Sequence, residues 1–350
     1  MIVATTHGYV RDHALGGEVA LHRTLVALNQ PVTVLTRTAE PFDVDGIRVE
    51  PIGFDDVLNV NADPAPIIRW LAKLDASAVI TQNELSLPTV KAARILGIPS
   101  IVSVHTPPRF GKTFVEAVSQ ADAVVYNTKT SAELWGEPDA LVVHPPTGNL
   151  PPKPITSPQG DAYTMLSNLR NKGVRVVLDM ARRMPDQRFI IVRSPAEITH
   201  GLPQFDELAA ELPNVEVHPR VAPDEVADRY LSQTRILLVP SWYETYGMSA
   251  IEAAGYGIPS VHVDTPHVRE GIGEAAELIP PLNVDATYAA LNLIEDGYSE
   301  YSVRVRARAE WLAERQTVEL EAWADWVSTI TVLDERERVR RTRIQPSFRR

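Results

Sequence analysis

The sequence predicts an α/β protein built from two doubly wound, mostly parallel sheets. Three observations carry that expectation. Short apolar runs suited to buried strands alternate with helical patterns along most of the 350 residues. The alternation is interrupted once, by the proline-rich stretch HPPTGNLPPKPITSPQGD from about His144 to Asp161, and then resumes. Each half is long enough to bury its own core, since 44% of the residues are hydrophobic.

In the first half, residues 2–6 read as a buried strand, followed by the polar loop HGYVRDHALGG and a helix over about 18–29. Strands recur at 32–36, 47–52, 78–81, 100–105, 123–127 and 140–144, with helices at 65–74, 87–96, 110–120 and 130–135. Such alternation implies parallel strands with helices on both faces, and ligands of such sheets bind beyond the carboxyl ends of the strands. Gly16 and Gly17 lie at the first strand-to-helix turn, where a glycine pair permits tight geometry or brings amides against a phosphate. Neither the dinucleotide fingerprint nor a P-loop lysine accompanies them. His105 ends a strand and is expected at the rim; Asn83 and Glu84 also follow a strand and are candidate acceptor contacts. Asp43-Val-Asp45 superficially resembles a metal-binding pair, but the following Gly-Ile suggests a hairpin turn, where aspartate is common for local hydrogen-bonding reasons.

The second half repeats the scheme, with strands at 163–167, 188–192 and 215–218 and helices at 173–183, 205–211 and 223–232. Residues 236–263, ILLVPSWYETYGMSAIEAAGYGIPSVHV, form a strand, loop, helix and strand unit. Its loop carries Glu244 and ends on Gly247, directly before a helix of small residues that holds Glu252. A glutamate among such neighbours loses much of its water and needs a hydrogen-bonding partner, which a sugar or ribose diol would supply. Gly247 lets a ligand approach the free amides of the helix start, where a phosphate is favoured. In the plainer alternative, Glu252 only complements the positive helix end and Glu244 is solvated. The stretch MLSNLRNKG follows the first strand of this half. Asn168, Arg170 and Lys172 are therefore expected to project at the strand ends, where cations would neutralise a diphosphate leaving group. A solvated basic turn is the alternative there.

The two glutamates flanking seven residues, followed by EAAGYGIPSV, resemble the EX7E signature of the retaining glycosyltransferases of family 4. That family has the GT-B fold, two Rossmann-like domains facing a central cleft. The resemblance spans nearly all of residues 1–300 and is stronger in the second half. It implies that Glu244 contacts the transferred sugar, Glu252 holds the nucleotide ribose, His105 lines the sugar site, and Gly16 and Gly17 lie beside the donor diphosphate. MLSNLRNKG resembles the family's GRLxxxKG diphosphate motif, with Ser167 and Asn168 where glycine and arginine are usual and one residue fewer before the lysine. Lys172 is therefore the firmer transfer, with Arg170 as a substitute arginine. Arg193, Arg220 and Val221 follow strands where relatives hold the nucleotide base. Tyr246, Met248 and Ser249 join Gly247 in the implied donor site, and Glu270 in TPHVRE is placed at its edge.

The implied division is an acceptor domain over 1–150, a donor domain over 151–305, a helix over 306–333 packing back on the first domain, and a basic tail over 334–350. The helical pattern from about 300 to 330 carries Trp311, Leu312, Leu320, Trp323, Trp326 and Val327, an aromatic stripe of the kind usually found in cores.

Composition narrows the classes. The absence of cysteine excludes disulfides, thiolate metal sites and a cysteine nucleophile. No apolar stretch is long enough to span a bilayer and no basic segment precedes the first strand, so a soluble, cytoplasmic protein is expected. A net charge of −11 argues against a wholly basic nucleic-acid binder. Residues 334–350, however, hold seven arginines against three acids, leaving −15 on the rest.

These readings converge on a metal-independent, cofactor-free transferase that moves a sugar from a UDP- or GDP-linked donor to a hydroxyl acceptor. The acceptor class stays open, with hydroxymethylated DNA included because of the basic tail. A sugar-nucleotide epimerase or hydrolase, and a non-catalytic sugar-nucleotide binder, remain the competing readings.

Overall fold

The computed structural model describes residues 1–9, 16–38, 40–52, 63–108, 111–147, 160–194 and 200–330. The chain divides into two compact units, one of Met1–Pro146 with the chain from Gln316 onward, the other of Thr147–Arg315. The basic tail over 334–350 and Pro195 lie outside the described residues.

Unit 1 holds strands β1 (Ile2–Thr5), β2 (Val32–Thr36), β3 (Phe42–Val44), β4 (Ile47–Pro51), β5 (Ala78–Gln82), β6 (Ser100–Val104) and β7 (Ala123–Tyr126) in the spatial order β3-β4-β2-β1-β5-β6-β7. All neighbours are parallel except β3 and β4, the hairpin whose turn carries Asp45. Strands β1, β2 and β5 are buried at every position, as sequences such as IVAT and VTVLT require when helices cover both faces. The strand expected at 140–144 is reduced to one bridge, Tyr126 with Val142. Pro145 and Pro146 follow at once and cannot donate to a ladder.

Unit 2 holds β8 (Ala162–Met165), β9 (Phe189–Val192), β10 (Val215–His218), β11 (Thr234–Val239), β12 (Ser260–Val263) and β13 (Glu277–Ile279), all parallel, in the order β10-β9-β8-β11-β12-β13. The helix expected over 223–232 is broken into a 3-10 turn Pro223–Glu225, a helix Val226–Arg229 and a second turn Leu231–Gln233. Tyr230 interrupts it: the residue leaves helical geometry at φ −122 and ψ −49, buries its ring, and its hydroxyl donates to the carbonyl of Pro219.

The helix Tyr298–Ile330 runs unbroken through the boundary between units. Its earlier turns give Val305, Ala309 and Leu312 to the core of unit 2, and its last turns give Trp323, Val327 and Ile330 to the core of unit 1. The aromatic stripe is only partly core. Trp323 is buried and its Nε1 donates to the carbonyl of Thr24 at 3.0 Å, whereas Trp311 is 47% exposed beneath the guanidinium groups of Arg308 and Arg315. Stacked cations cover its faces there instead of apolar neighbours. No helix of the described residues is long and apolar enough to cross a membrane.

Trp323→Ala empties a buried indole site and strands the Thr24 carbonyl, so it should destabilise unit 1 by about 3–5 kcal/mol. The check is the urea midpoint of the first unfolding transition, which should fall clearly below wild type.

Candidate functional site

Strands β8, β9 and β10 step outward in one direction and β11, β12 and β13 in the other, so the strand order reverses between β8 and β11. Connections on the two sides leave to opposite faces at such a point, which opens a crevice beyond the carboxyl ends of the two strands. The loops that fill this position are 166–173, after β8, and 240–247, after β11.

The backbone of one loop is tied to the other. Trp242 N–H donates to the carbonyl of Asn171 at 2.8 Å. Gly173, with φ +89, lies so close to the second loop that a Cβ would meet the Pro240 carbonyl oxygen at 2.3 Å. Only glycine suits both the left-handed conformation and the clearance. Across this junction Lys172 Nζ donates to Glu244 Oε1 at 2.8 Å, and Ser241 Oγ donates to the same oxygen at 2.8 Å. A third loop joins them, since Thr265 Oγ1 donates to the Glu244 carbonyl at 3.0 Å.

The pair is unequal in exposure, with the Glu244 side chain 12% exposed and that of Lys172 35%. Burial by itself would raise the Glu244 carboxyl, but the Lys172 ammonium and the hydrogen bonds from Lys172 and the Ser241 hydroxyl hold the group below the usual carboxylate range. Glu244 is thus an ionised, oriented acceptor at neutral pH. Gly247, at φ +84, caps the helix Met248–Gly255 with no side-chain bond, and a Cβ there would lie 2.4 Å from His262 Nε2. Ala250 N–H already donates to the Gly247 carbonyl at 3.1 Å, so the amides of Met248 and Ser249 are the ones that precede the first helical bond, and a helix start favours an anion there. Glu252 is half-buried on the same helix.

The other expected donor residues divide. Arg170 is exposed in the turn Arg170–Lys172 and forms no ion pair among the described residues. Asn168 differs from its expected projection: it is 1% exposed, and its Oδ1 accepts from the Ser194 N–H at 2.8 Å, fastening the turn after β9. A short amide next to β8 reaches the neighbouring backbone before it reaches solvent. Arg193 pairs with Asp206 and lies over the Phe205 ring. Arg220 is half-buried and engaged, and Val221 packs on the small cluster around Tyr230. Tyr246 is buried with its hydroxyl accepting from Arg315 at 2.9 Å, while Met248 and Ser249 are half-buried at the helix start. Arg315 and Arg308 also donate to the carbonyl of Glu270.

In unit 1, Gly16 is exposed and Gly17 half-buried at the start of the helix Gly16–Val26. Asn83 adopts φ +56 and its amide lies 3.5 Å from Glu18, while Glu84 is exposed. His105 follows β6 and its Nε2 lies 3.0 Å from the Ser103 hydroxyl. Although half-buried by exposure, the ring is enclosed closely enough that desolvation lowers its pKa to about 4. With Leu21, Val125 and Trp323 it lines a cavity of about 20 Å³, the size of one water. Asp43 and Asp45 are both engaged, the first with Arg48 at 2.9 Å and the second with His22 Nε2 at 2.9 Å. The Tyr9 hydroxyl lies 2.7 Å from the other His22 nitrogen, so a buried tyrosine and histidine connect to the exposed Asp45, a contact that the sequence did not suggest. Among the described residues no three metal-ligating side chains come together.

Residues 162–296 match the family model described as glycosyl transferases group 1. The match lies within the second unit. The matched span covers β8 to β13 and therefore both loops of the Lys172–Glu244 junction. Among solved structures, HepE of Anabaena in complex with UDP and glucose is similar at 15% identity and TM-score 0.71, covering 94% of this chain and 99% of that one. Sucrose-phosphate synthase of Thermosynechococcus elongatus is similar at 17% identity and TM-score 0.71, covering 94% and 97%. The lipopolysaccharide outer core galactosyltransferase WaaB in its apo form is similar at 18% identity and TM-score 0.63, covering 94% and 100%. The fold is thus the two-sheet α/β fold of the GT-B glycosyltransferases. No curated protein sequence matches the chain.

Sequence reasoning singled out the loop that begins at Thr265 but passed over Ser241 and His262 near Glu244, and Trp242, which is 63% exposed beside it. The histidine left a signal: a titratable residue between two valines in the fully buried strand SVHV.

A pH dependence follows for His105. The unfolded ring titrates near 6.5 and the folded one at about 4, so the unfolded state binds more protons between those values. The stabilisation is complete above the unfolded value and is lost as pH falls towards the folded one. His105→Gln should therefore flatten the decline of the urea midpoint between pH 6.5 and 4 relative to wild type, measured by circular dichroism.

Proposed function

We propose that this protein is a retaining glycosyltransferase that moves a sugar from a nucleotide-diphosphate donor to a hydroxyl acceptor. The observation that carries the reading is the Lys172–Glu244 pair at the strand reversal of a glycosyl transferases group 1 domain. It stands with a helix start at Gly247, where the amides of Met248 and Ser249 precede the first helical bond and suit an anion.

A diphosphate suits this arrangement because Lys172 is the more exposed partner of its pair and can turn to a phosphate oxygen. Arg170, exposed in the same turn, is a second cation for it, and the amides of Met248 and Ser249 are neutral donors that cost no rearrangement. Glu244 accepts from hydroxyls of the transferred sugar, and Glu252 takes the ribose diol. His105 in unit 1 is neutral at physiological pH, and the family resemblance assigns it to the sugar, to which it would offer a hydrogen bond without adding charge. A UDP- or GDP-linked donor fits, and HepE of Anabaena, similar in fold, was solved with UDP-glucose.

In the reaction, the bond between the anomeric carbon and the β-phosphate oxygen breaks as the acceptor oxygen bonds to that carbon. The acceptor proton passes to the departing diphosphate on the same face, so no enzyme nucleophile is needed and the configuration is retained. Lys172 and the helix amides hold the charge that accumulates on the leaving group. No metal is assigned a part.

Lys172→Ala and Glu252→Ala should each lower transfer at least about tenfold, the scale of losing one interaction with the developing charge or the donor. A nucleotide-release assay measures this, using mixed UDP- and GDP-sugars with carbohydrate and hydroxymethylated-DNA acceptors and mass spectrometry of the products. Near-wild-type turnover in both variants would reject the site. Donor consumption independent of any acceptor would favour a hydrolase or epimerase.

A further inference from the structure

His262 on β12 has no part in the reaction as described above, yet its surroundings are unusual. The residue is fully buried. Its Nδ1 lies 3.0 Å from the carbonyl oxygen of Val263, which has no proton to give, so Nδ1 carries the hydrogen and Nε2 is a bare lone pair. Nε2 is buried without a hydrogen-bond partner among the described residues. It points at the backbone of Gly247, the residue whose missing Cβ makes room for it. An unmatched acceptor in that position is costly and needs a reason.

The charged groups that act on the ring are few. Its partners in the sheet register are Val239 on β11 and Leu278 on β13, both apolar. The helix Met248–Gly255 meets it with Gly247. From the loops come Glu244, which favours a charged imidazole, and Lys172, which opposes one. Burial is the largest influence and keeps the ring neutral, below its usual range. His262 therefore sits beside an ion pair in which one member is buried and the other can leave.

We infer that His262 is a positioning residue for Glu244, neutral while Lys172 is paired with that carboxylate and protonated at Nε2 when a diphosphate draws Lys172 away. The proton comes from solvent, and the imidazolium so formed replaces the ammonium as the charge opposing Glu244. The buried carboxylate then stays ionised and fixed at the moment its first partner is occupied elsewhere, which is when it has to orient the sugar. The unpaired lone pair is the acceptor held ready for that proton. This inference rests on the donor-binding reading of the crevice.

Two measurements separate it from that reading. In the ligand-free protein, nitrogen-15 imidazole NMR, with the His262 signals assigned by their loss in His262→Gln, should show a bare Nε2 at neutral pH in the wild type. In Lys172→Met the titration midpoint of His262 should rise by about one pH unit or more, a tenfold gain in proton affinity. An unchanged midpoint overturns the coupling, whatever the chain binds. In the second measurement, UDP and GDP are titrated calorimetrically in phosphate and Tris buffers, which differ in ionisation enthalpy. The wild type should take up more protons than His262→Gln for the nucleotide that binds. Equal uptake overturns the role of His262. Absence of binding by both nucleotides overturns the donor-binding reading, and the NMR result still decides whether Lys172 controls the proton on His262.

Discussion

The structure of the second unit turns on one contact, the ion pair between Lys172 and Glu244 across the reversal in strand order. Two loops from strands far apart in sequence must approach within hydrogen-bonding distance for it to form. That approach is made by Gly173, which lets the first loop press against the Pro240 carbonyl, and by the backbone bond from Trp242 to Asn171. A half-buried ion pair is weak evidence of a device for stability, because desolvation offsets most of the Coulombic gain. Its asymmetry says more. The carboxylate is the buried partner and is also held by Ser241, so the lysine is the one that can exchange its partner for a ligand.

The loop carrying Glu244 is held from several sides. Thr265, after β12, grips its backbone, and Tyr246 is anchored by Arg315 near the boundary of the unit. Arg308 and Arg315 donate in turn to carbonyls at Glu270 and Gly271. A long helix that also supplies core residues to unit 1 thus supports the crevice of unit 2 through its arginines. The exposed Trp311 ring lies against both guanidinium groups. Binding groups on loops need this kind of rigid backing to hold a geometry.

Much of the architecture was legible in the residues because parallel strands buried on both faces write themselves as uninterrupted apolar runs. Strands β2 and β10 fall where their runs predict them, and the Asp43–Asp45 turn is the hairpin that its chemistry suggested. The departures have local causes. Pro145 and Pro146 cut the expected strand at 140–144 to a single bridge, and Tyr230 breaks the helix over 223–232 to bury its ring. At the candidate site, Lys172 and Glu244 announced themselves as charged residues at strand ends. Asn168 and Arg193 carried the same signal and were turned aside, one to the Ser194 backbone and the other to Asp206, because a side chain near a strand end takes the nearest partner that satisfies it.

By itself the sequence determined the class of fold and the two series of strands and helices, because these depend on periodicity and on which residues tolerate burial. Tertiary structure decided which loops meet. Strand order is set by how whole helices pack on a sheet, and no local pattern records that β8 lies against β11 when β9 and β10 come between them in the chain. It also decided that His262, an ordinary member of an apolar strand by its position, ends beneath Gly247 and within reach of the charges on Glu244 and Lys172.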